Sequence, residues 1–407
     1  MKQAENEMLT RVGRGTPAGE LLRRYWHPVC VSAELTAEKP IKRFRLLGED
    51  LVVFRLPLKA GETKPRYGVV AERCSHRLAS LAYGIVEEDG IRCPYHGWKY
   101  GTDGTCLETP PEPKEWAYKN EIRHTSYPTQ KLGGLVWTYM GPQPEPLLPR
   151  WDCLAREDGL RVIYIESIMD CNWMQPMENS VDPSHLYWLH GYRYGSGHLV
   201  DPKEQQARRE AQYEEKHEFI PFEYGIMKRR ITPRGIDEHP LLFPTTLRHV
   251  SNERDGIRKS GYRHNVQIRV PLDDTHTRVY RVNFIPTDSD RSPADEDCAY
   301  ELRPLKFQEG ETSFPMDLPM TKYDTSIVGA QDSMAWETQG SITDRTQEHL
   351  GHADRGIVMF RKMLREQIEV VQRGGDPIGV IRDPAKNKII EIPVINERIG
   401  LVRQAAE

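Results

Sequence analysis

Hydrophobic and polar positions fall into three regimes along this chain. Residues 4–25 mix Met8, Leu9, Leu21 and Leu22 with charges, which predicts a short helix or two before Trp26-His27-Pro28. From about Arg43 the apolar residues come instead in short runs: Arg45-Leu46-Leu47, Leu51-Val52-Val53-Phe54, Tyr67-Gly68-Val69-Val70 and Gly134-Leu135-Val136-Trp137. Gly48-Glu49-Asp50 reads as a turn between the first two, and Gly- and Pro-rich loops separate the others. That pattern predicts a small all-β domain over residues 40–140. A Pro-rich seam follows at Gly141-Pro142-Gln143-Pro144-Glu145-Pro146 and Pro149. Past it, strand-like runs at 266–270 and 279–284 sit among helical segments. The clearest helix spans 353–373, where Ile357, Phe360, Leu364 and Ile368 recur at three or four, and Gly374-Gly375 and Pro377 end it. The expected class is α+β, with an N-terminal helical segment at 1–40, a β domain at 41–150 and a mixed domain at 151–407.

Composition narrows the field. The chain has 407 residues, 38% hydrophobic and 29% charged, enough for two globular domains. Mean hydropathy is −0.66, and no apolar run approaches the roughly 20 residues of a membrane span. The polar start, Met1 to Gly19, has no signal-peptide core, so a cytoplasmic protein is expected. A net charge of −4, from 56 basic and 60 acidic residues, asks for neither nucleic acid nor an anionic membrane. The seven cysteines are odd in number and scattered, which argues against a disulfide framework and for metal ligation or nucleophilic chemistry.

Four of the candidate ligands are organised. Cys74-Ser75-His76 and Cys93-Pro94-Tyr95-His96 are two hooks, each with one thiolate and one imidazole donor, separated by sixteen residues. Two Cys and two His can hold a tetrahedral zinc, or a 2Fe–2S cluster with two thiolates on one iron and two imidazoles on the other. Matched Cys/His hooks favour the second, because zinc sites more often pair a Cys-Cys hook with a His-His hook. Arg73, Arg77, Arg92 and Lys99 surround them; they are a solvated face or, functionally, a docking patch for an acidic electron donor.

A second constellation lies in 171–191. Asp182 and His185 are three apart and share a helix face, but His185 and His190 are five apart, which a regular α-helix splays by about 140°. Both can bind one metal only if the helix is distorted, as by a π-type bulge. Asp182-Pro183 also reads as an N-cap with proline at the first helical position.

The full stretch Cys74-Ser75-His76-Arg77 to Cys93-Pro94-Tyr95-His96-Gly97-Trp98 resembles the Rieske motif of ring-hydroxylating oxygenases. The resemblance runs from Gly19-Glu20-Leu21-Leu22 to His349-Leu350-Gly351 and is nearest the phthalate dioxygenase-like oxygenases. It implies an all-β Rieske domain joined to a helix-grip catalytic domain, an antiparallel sheet plus helices. By the same resemblance Cys74 and Cys93 would bind one cluster iron and His76 and His96 the other. His185, His190 and a downstream Asp332 would form a facial triad on Fe(II), with Asp344 the runner-up for the third position. Asp182 would bridge to a cluster histidine of a neighbouring subunit in a homotrimer, and Asn179 would lie near the iron. A flavin- and iron–sulfur-containing reductase, or a ferredoxin, would carry electrons from NADH; this chain has no Gly-x-Gly-x-x-Gly fingerprint of its own. The implied reaction oxygenates an aromatic acid with O₂, by ring hydroxylation or O-demethylation. Arg230, Arg248 and Arg269 are the candidates for gripping its carboxylate. A Rieske electron carrier without catalysis would need only one small domain, and a zinc-stabilised structural protein would be colourless.

Overall fold

The computed structural model describes residues 1–113, 115–193, 203, 215–252, 262–286, 298–307, 322–397 and 400–401. Helices at Gln3–Thr10 and Pro17–Leu22 open the chain. The second has Pro17 at its first turn and Thr16 as N-cap, whose Oγ1 accepts from the Gly19 N–H at 3.2 Å. β1 (Trp26–Val31) follows, so β structure starts inside the stretch expected to be helical, and it pairs with a strand over a hundred residues on. That partner is out of reach of any local pattern.

β2 (Ile41–Leu46), β3 (Glu49–Arg55), β4 (Tyr67–Ala71) and a later strand at Ser126–Tyr127 make one antiparallel sheet. The β2–β3 turn falls one residue earlier than Gly48-Glu49-Asp50. Leu47 (φ 49°) and Gly48 (φ 80°) are its two central residues, both left-handed as a two-residue hairpin turn requires. Their N–H groups donate to Pro271 and Leu272 carbonyls of the second half of the chain, at 3.0 and 2.8 Å. β5 (Ile85–Glu87), β6 (Gly90–Arg92), β7 (Lys99–Gly101) and β8 (Cys106–Glu108) form a second small sheet with its own core of Val52, Phe54, Leu81, Ile91, Trp98 and Tyr100. β9 (Ser126–Tyr127) closes the first sheet, and β10 (Thr129–Leu132) pairs with β11 (Leu135–Tyr139), which in turn pairs with β1.

The rest of the chain is built on β12 (Gly159–Glu166), β13 (Lys216–Phe222), β14 (Gly225–Thr232), β15 (Gly235–Leu242), β16 (Thr246–Asn252), β17 (Tyr262–Pro271), β18 (Thr277–Pro286), β19 (Ala299–Arg303) and β20 (Ile395–Asn396). The order β13-β14-β15-β16-β17-β18-β12-β19 is antiparallel except for the parallel β12–β19 pair. Side chains alternate between faces. One face, with Val266, Ile268, Val270, Tyr280, Val282 and Phe284, joins Trp26, Leu135 and Trp137 in one apolar core. The opposite face is buried but polar, with Lys228, Arg230, His239, Asn265, Arg269 and Asn283. Helices cover it: Met174–Ser180, Val328–Glu337 and Arg355–Gln372. Gly329 of the second sits on Glu166 and Arg281, and Trp336 packs with Val279. Gly356 of the third meets the Val181 carbonyl and the Phe219 ring so closely that a Cβ would lie 2.2 and 2.4 Å from them. The last helix stops where expected, at Gly374 in the left-handed region (φ 81°). No helix among the described residues is long and apolar enough to cross a membrane.

Candidate metal centres

The two Cys/His hooks occupy geometrically equivalent loops. In each, the Cys N–H donates to the carbonyl five residues on (Cys74 to Ala79, 2.9 Å; Cys93 to Trp98, 2.8 Å). In each, the Cys carbonyl accepts from the residue four on (Leu78 N–H, 2.9 Å; Gly97 N–H, 3.0 Å). That fourth residue is left-handed both times, Leu78 at φ 62° and Gly97 at φ 75°. Glycine takes the second position freely; Leu78 is strained there by roughly 1–3 kcal/mol and is exposed.

Both thiols are buried, and the His76 and His96 rings lie edge to face, centroids 4.7 Å apart. Trp98 stacks flat on His76 at 4.4 Å, and the Tyr100 hydroxyl is 3.1 Å from the Cys74 Sγ. Burial pushes the Cys74 thiol up, against the pull of Tyr100, so cluster binding here must release its proton. His124 supports the first loop: its Nε2 donates to the Ala71 carbonyl (2.9 Å), so Nδ1 accepts from the Ser75 hydroxyl (2.8 Å). Two thiols and two imidazoles on twin loops fit a 2Fe–2S cluster with mixed ligation.

The second constellation converges as well. The His185–His190 spacing that an α-helix would splay is met by a π-helix at Leu186–Arg193, whose wider winding brings residues five apart back to one side. The two rings are 5.3 Å apart. Asp332, on the Val328–Glu337 helix, completes the set, and one donor atom from each of the three lies within 4.8 Å of the others. Asp332 Oδ1 is 3.1 Å from His190 Nε2 and 3.9 Å from His185 Nε2, yet it is buried with no hydrogen-bond partner among the described residues. Three donors aimed at one point, without bonding one another, fit a metal ion better than an ion pair. Burial raises the Asp332 carboxyl, but His190 outweighs it and holds the group below its ordinary range, so it is anionic.

Neighbouring groups orient the ligands. Gln331 donates through Nε2 to the Thr325 carbonyl (2.7 Å), so its Oε1 accepts from His190 Nδ1 (2.7 Å) and leaves Nε2 free to ligate. Asp182 uses Oδ1 to cap the Ser184 N–H at 2.8 Å, as its N-cap reading required, while Oδ2 lies 3.5 Å from His185 Nδ1. Asp344 is exposed and occupied by Thr346, away from the triad. Asn179 is half-buried and contributes its carbonyl to the Asp182 N–H (3.0 Å).

The basic residues divide sharply. Arg92 and Lys99 are neutralised by Glu87 and Glu108, which leaves Arg73 and Arg77 as the exposed cations of the expected patch. Arg248 is on the apolar side of the sheet, bonded to Asp152 (2.9 Å) and His264, so it cannot meet a substrate near the triad. Arg230 is on the polar face but bonded to Glu215 at 2.9 Å. Arg269 remains: it faces the triad side, with no carboxylate within ion-pair distance among the described residues. Lys228, also buried on this face, escaped notice in the sequence. Strand alternation in Lys228-Arg229-Arg230 could have flagged it, since it turns the first and third of three cations inward.

A β domain with a mixed Cys/His cluster site, followed by a two-His, one-carboxylate centre under a helix-covered sheet, defines a Rieske non-haem iron oxygenase. The chain belongs to that family. Residues 25–128 match the Rieske [2Fe-2S] domain, and residues 256–395 match a LigXa C-terminal domain-like family. The chain is 37% identical to the 5,5'-dehydrodivanillate O-demethylase oxygenase subunit of Sphingobium sp., across 99% of this chain and 89% of that one. It is 33% identical to the phthalate 4,5-dioxygenase oxygenase subunit of Pseudomonas putida, across 96% and 91%. Among solved structures, the QL mutant of the NdmA protein of Pseudomonas putida CBB5 with caffeine shares the fold at TM-score 0.64 and 22% identity, over 88% of this chain and 94% of that one. The protein is thus an oxygenase whose cofactors are a Rieske cluster and a mononuclear iron.

Proposed function

We propose that the chain is a terminal oxygenase that uses O₂ and two externally supplied electrons to oxygenate an aromatic acid. His185, His190 and Asp332 hold the mononuclear iron, and Cys74, His76, Cys93 and His96 hold the cluster. The single observation that carries the reading is the convergence of three half-buried donors, His185, His190 and Asp332, within 4.8 Å in a chain that also presents twin Cys/His loops.

Bound iron would supply O₂ activation at coordination positions that a two-His, one-carboxylate set leaves open. The protein's own work is orientation. Gln331 holds the His190 tautomer, Asp182 stands beside His185 Nδ1, and the helix-covered sheet face excludes bulk water. Monooxygenation consumes O₂, two electrons and two protons and releases water; ring dihydroxylation retains both oxygen atoms in a diol.

Electrons reach the cluster from NADH through a separate reductase or ferredoxin, docking near Arg73 and Arg77. The cluster loops carry exposed Leu78 and Tyr95, and the segment after the first loop carries exposed Tyr83 and Ile85, apolar surface suited to a neighbouring subunit in a homotrimer. In that arrangement Asp182 links a cluster histidine of the next subunit to His185. Phthalate and dehydrodivanillate, named for the relatives, favour aromatic acids as the substrate class.

The test is a screen of methoxylated and unsubstituted aromatic acids with a surrogate reductase, following NADH, O₂ and product. Coupled oxygen uptake with a diol or formaldehyde is expected. A protein containing zinc and no acid-labile sulfide would overturn the reading.

A further inference from the structure

A buried ammonium group lies under the iron centre with no direct salt bridge among the described residues, attracted only at longer range by Asp237 and Asp182. Lys228 is 4% exposed, and no carboxylate among the described residues comes within 4.0 Å of it. The register places it opposite Phe219 on β13 and His239 on β15. Phe219 in turn touches Gly356 beside the Val181 carbonyl, so Lys228 sits beneath the segment that carries Asp182 and His185.

Its surroundings are polar and incomplete. His239 Nε2 and Asn265 Oδ1 are buried with no hydrogen-bond partner among the described residues. The His239 and His249 rings lie tilted, 4.1 Å between centroids, and burial holds both well below the ordinary imidazole range, so they are neutral; the nearest buried carboxylate on this face, Asp237, lies 3.1 Å from His239 Nδ1. Of the other cations on this face, Arg230 is matched by Glu215 and Arg281 by Glu166. Arg269 has only its own strand's Gln267, at 3.1 and 3.2 Å, and its Nε is bare. A buried charge left unpaired is costly, and folded proteins rarely keep one without a partner to meet it.

We propose that Lys228 is the anchor for the substrate's carboxylate, in a pocket on the polar face of the sheet bounded by His239, Asn265 and Arg269. This rests on the assignment of iron to His185, His190 and Asp332. Lys228 meets the anion directly, and Arg269, which has no salt bridge among the described residues and only the longer-range attraction of Glu166 and Asp332, adds positive field. An aromatic acid then enters with its carboxylate toward β14 and its ring beneath the iron.

Burial lowers the Lys228 ammonium to about 8, against the raising influence of Asp237 and Asp182 and with Arg230 and Arg269 opposing its charge. His239 faces it neutral, and Phe219 brings no charge. Carboxylate affinity should therefore be full near pH 7 and weaken as pH rises through about 8, where the ammonium is lost.

The experiment measures binding of benzoate, phthalate and vanillate, and of their neutral amides, to iron-replete holoenzyme by calorimetry and by substrate-induced shift in Tm. Lys228→Met keeps the volume and removes the charge. It should weaken the tightest-binding acid on the order of 10- to 100-fold, the size of a lost charged hydrogen bond, and leave the amide within about twofold. It should also raise the Tm of the substrate-free protein while abolishing the gain on adding acid. Lys228→Arg should retain most of the preference for acid and remove the weakening above pH 8.

Equal weakening of acid and amide would assign Lys228 to positioning Asp182 and overturn the proposal. So would unchanged acid binding, or a wild-type protein that prefers no acid over its amide. Cluster absorbance, iron content and NADH-driven turnover of a neutral aromatic separate failure of the anchor from failure of the oxygenase reading. The anchor alone fails if those stay intact.

Discussion

Glu178→Gln tests whether the Met174–Ser180 helix, which leads into the histidine-bearing segment, is held by a buried ion network. Glu178, on the Met174–Ser180 helix, accepts from Arg345 Nε and Nη2 (3.0 and 2.7 Å) and from Arg361 Nε (2.6 Å). All three side chains are buried. After substitution Arg361 keeps Glu348, at 2.8 and 2.9 Å, but Arg345 keeps only neutral acceptors, Asn6 Oδ1 and the Thr343 carbonyl. Removing one member of a buried charge network costs about 3–5 kcal/mol, because the remaining charge is stranded rather than because the pair was worth that much. In a chain of 407 residues that is roughly a 4–6 °C fall in Tm. The assay is thermal unfolding of holoenzyme with parallel iron analysis. Burial raises the Glu178 carboxyl, and the two guanidiniums overcome this and hold it below its ordinary 4.5. Its contribution is therefore present above pH 4.5 and is lost as pH falls through the lowered value, so the gap between wild type and variant should narrow in acid. A loss below about 1 kcal/mol at neutral pH would refute the reasoning, since it would mean that water reaches Arg345.

Asp332→Ala should lose the mononuclear iron while the red-brown cluster absorbance persists, and Asp344→Ala should lose neither, as read by iron and sulfide analysis. Asp182→Asn should keep both metals yet lose coupled turnover; full activity in that variant would remove the bridging role. Tyr100→Phe deletes a hydroxyl 3.1 Å from Cys74 Sγ and should lower the cluster's reduction potential in redox titration, with no loss of cluster.

The cluster ligands were legible because they are local: each hook is three or four residues long, and its chemistry lies in the residue types. Strand runs at 51–54, 67–70, 266–270 and 279–284 and the late helix were legible for the same reason, since periodicity is a property of neighbours. The pairing of β1 with β11 was not, because a strand's partner is chosen by burial across the whole chain. Nor was the shift of the first turn to Leu47–Gly48, where contacts to Pro271 and Leu272 select the register.

At the candidate iron centre the sequence by itself supplied the candidate donors and raised an objection to them, the five-residue spacing of His185 and His190. Only the tertiary structure answered it, through a π-helix that packing of the covering helices can hold. Which aspartate approaches the histidines is likewise visible only in three dimensions: Asp332 lies half-buried beside two imidazoles, and Asp344 is exposed in a turn. The same holds for the cations. Arginines at 230, 248 and 269 look alike in sequence, and so does Lys228. Which of them is neutralised depends on which face of the sheet it occupies and which carboxylate the fold brings to it, and that is a property of the folded chain alone.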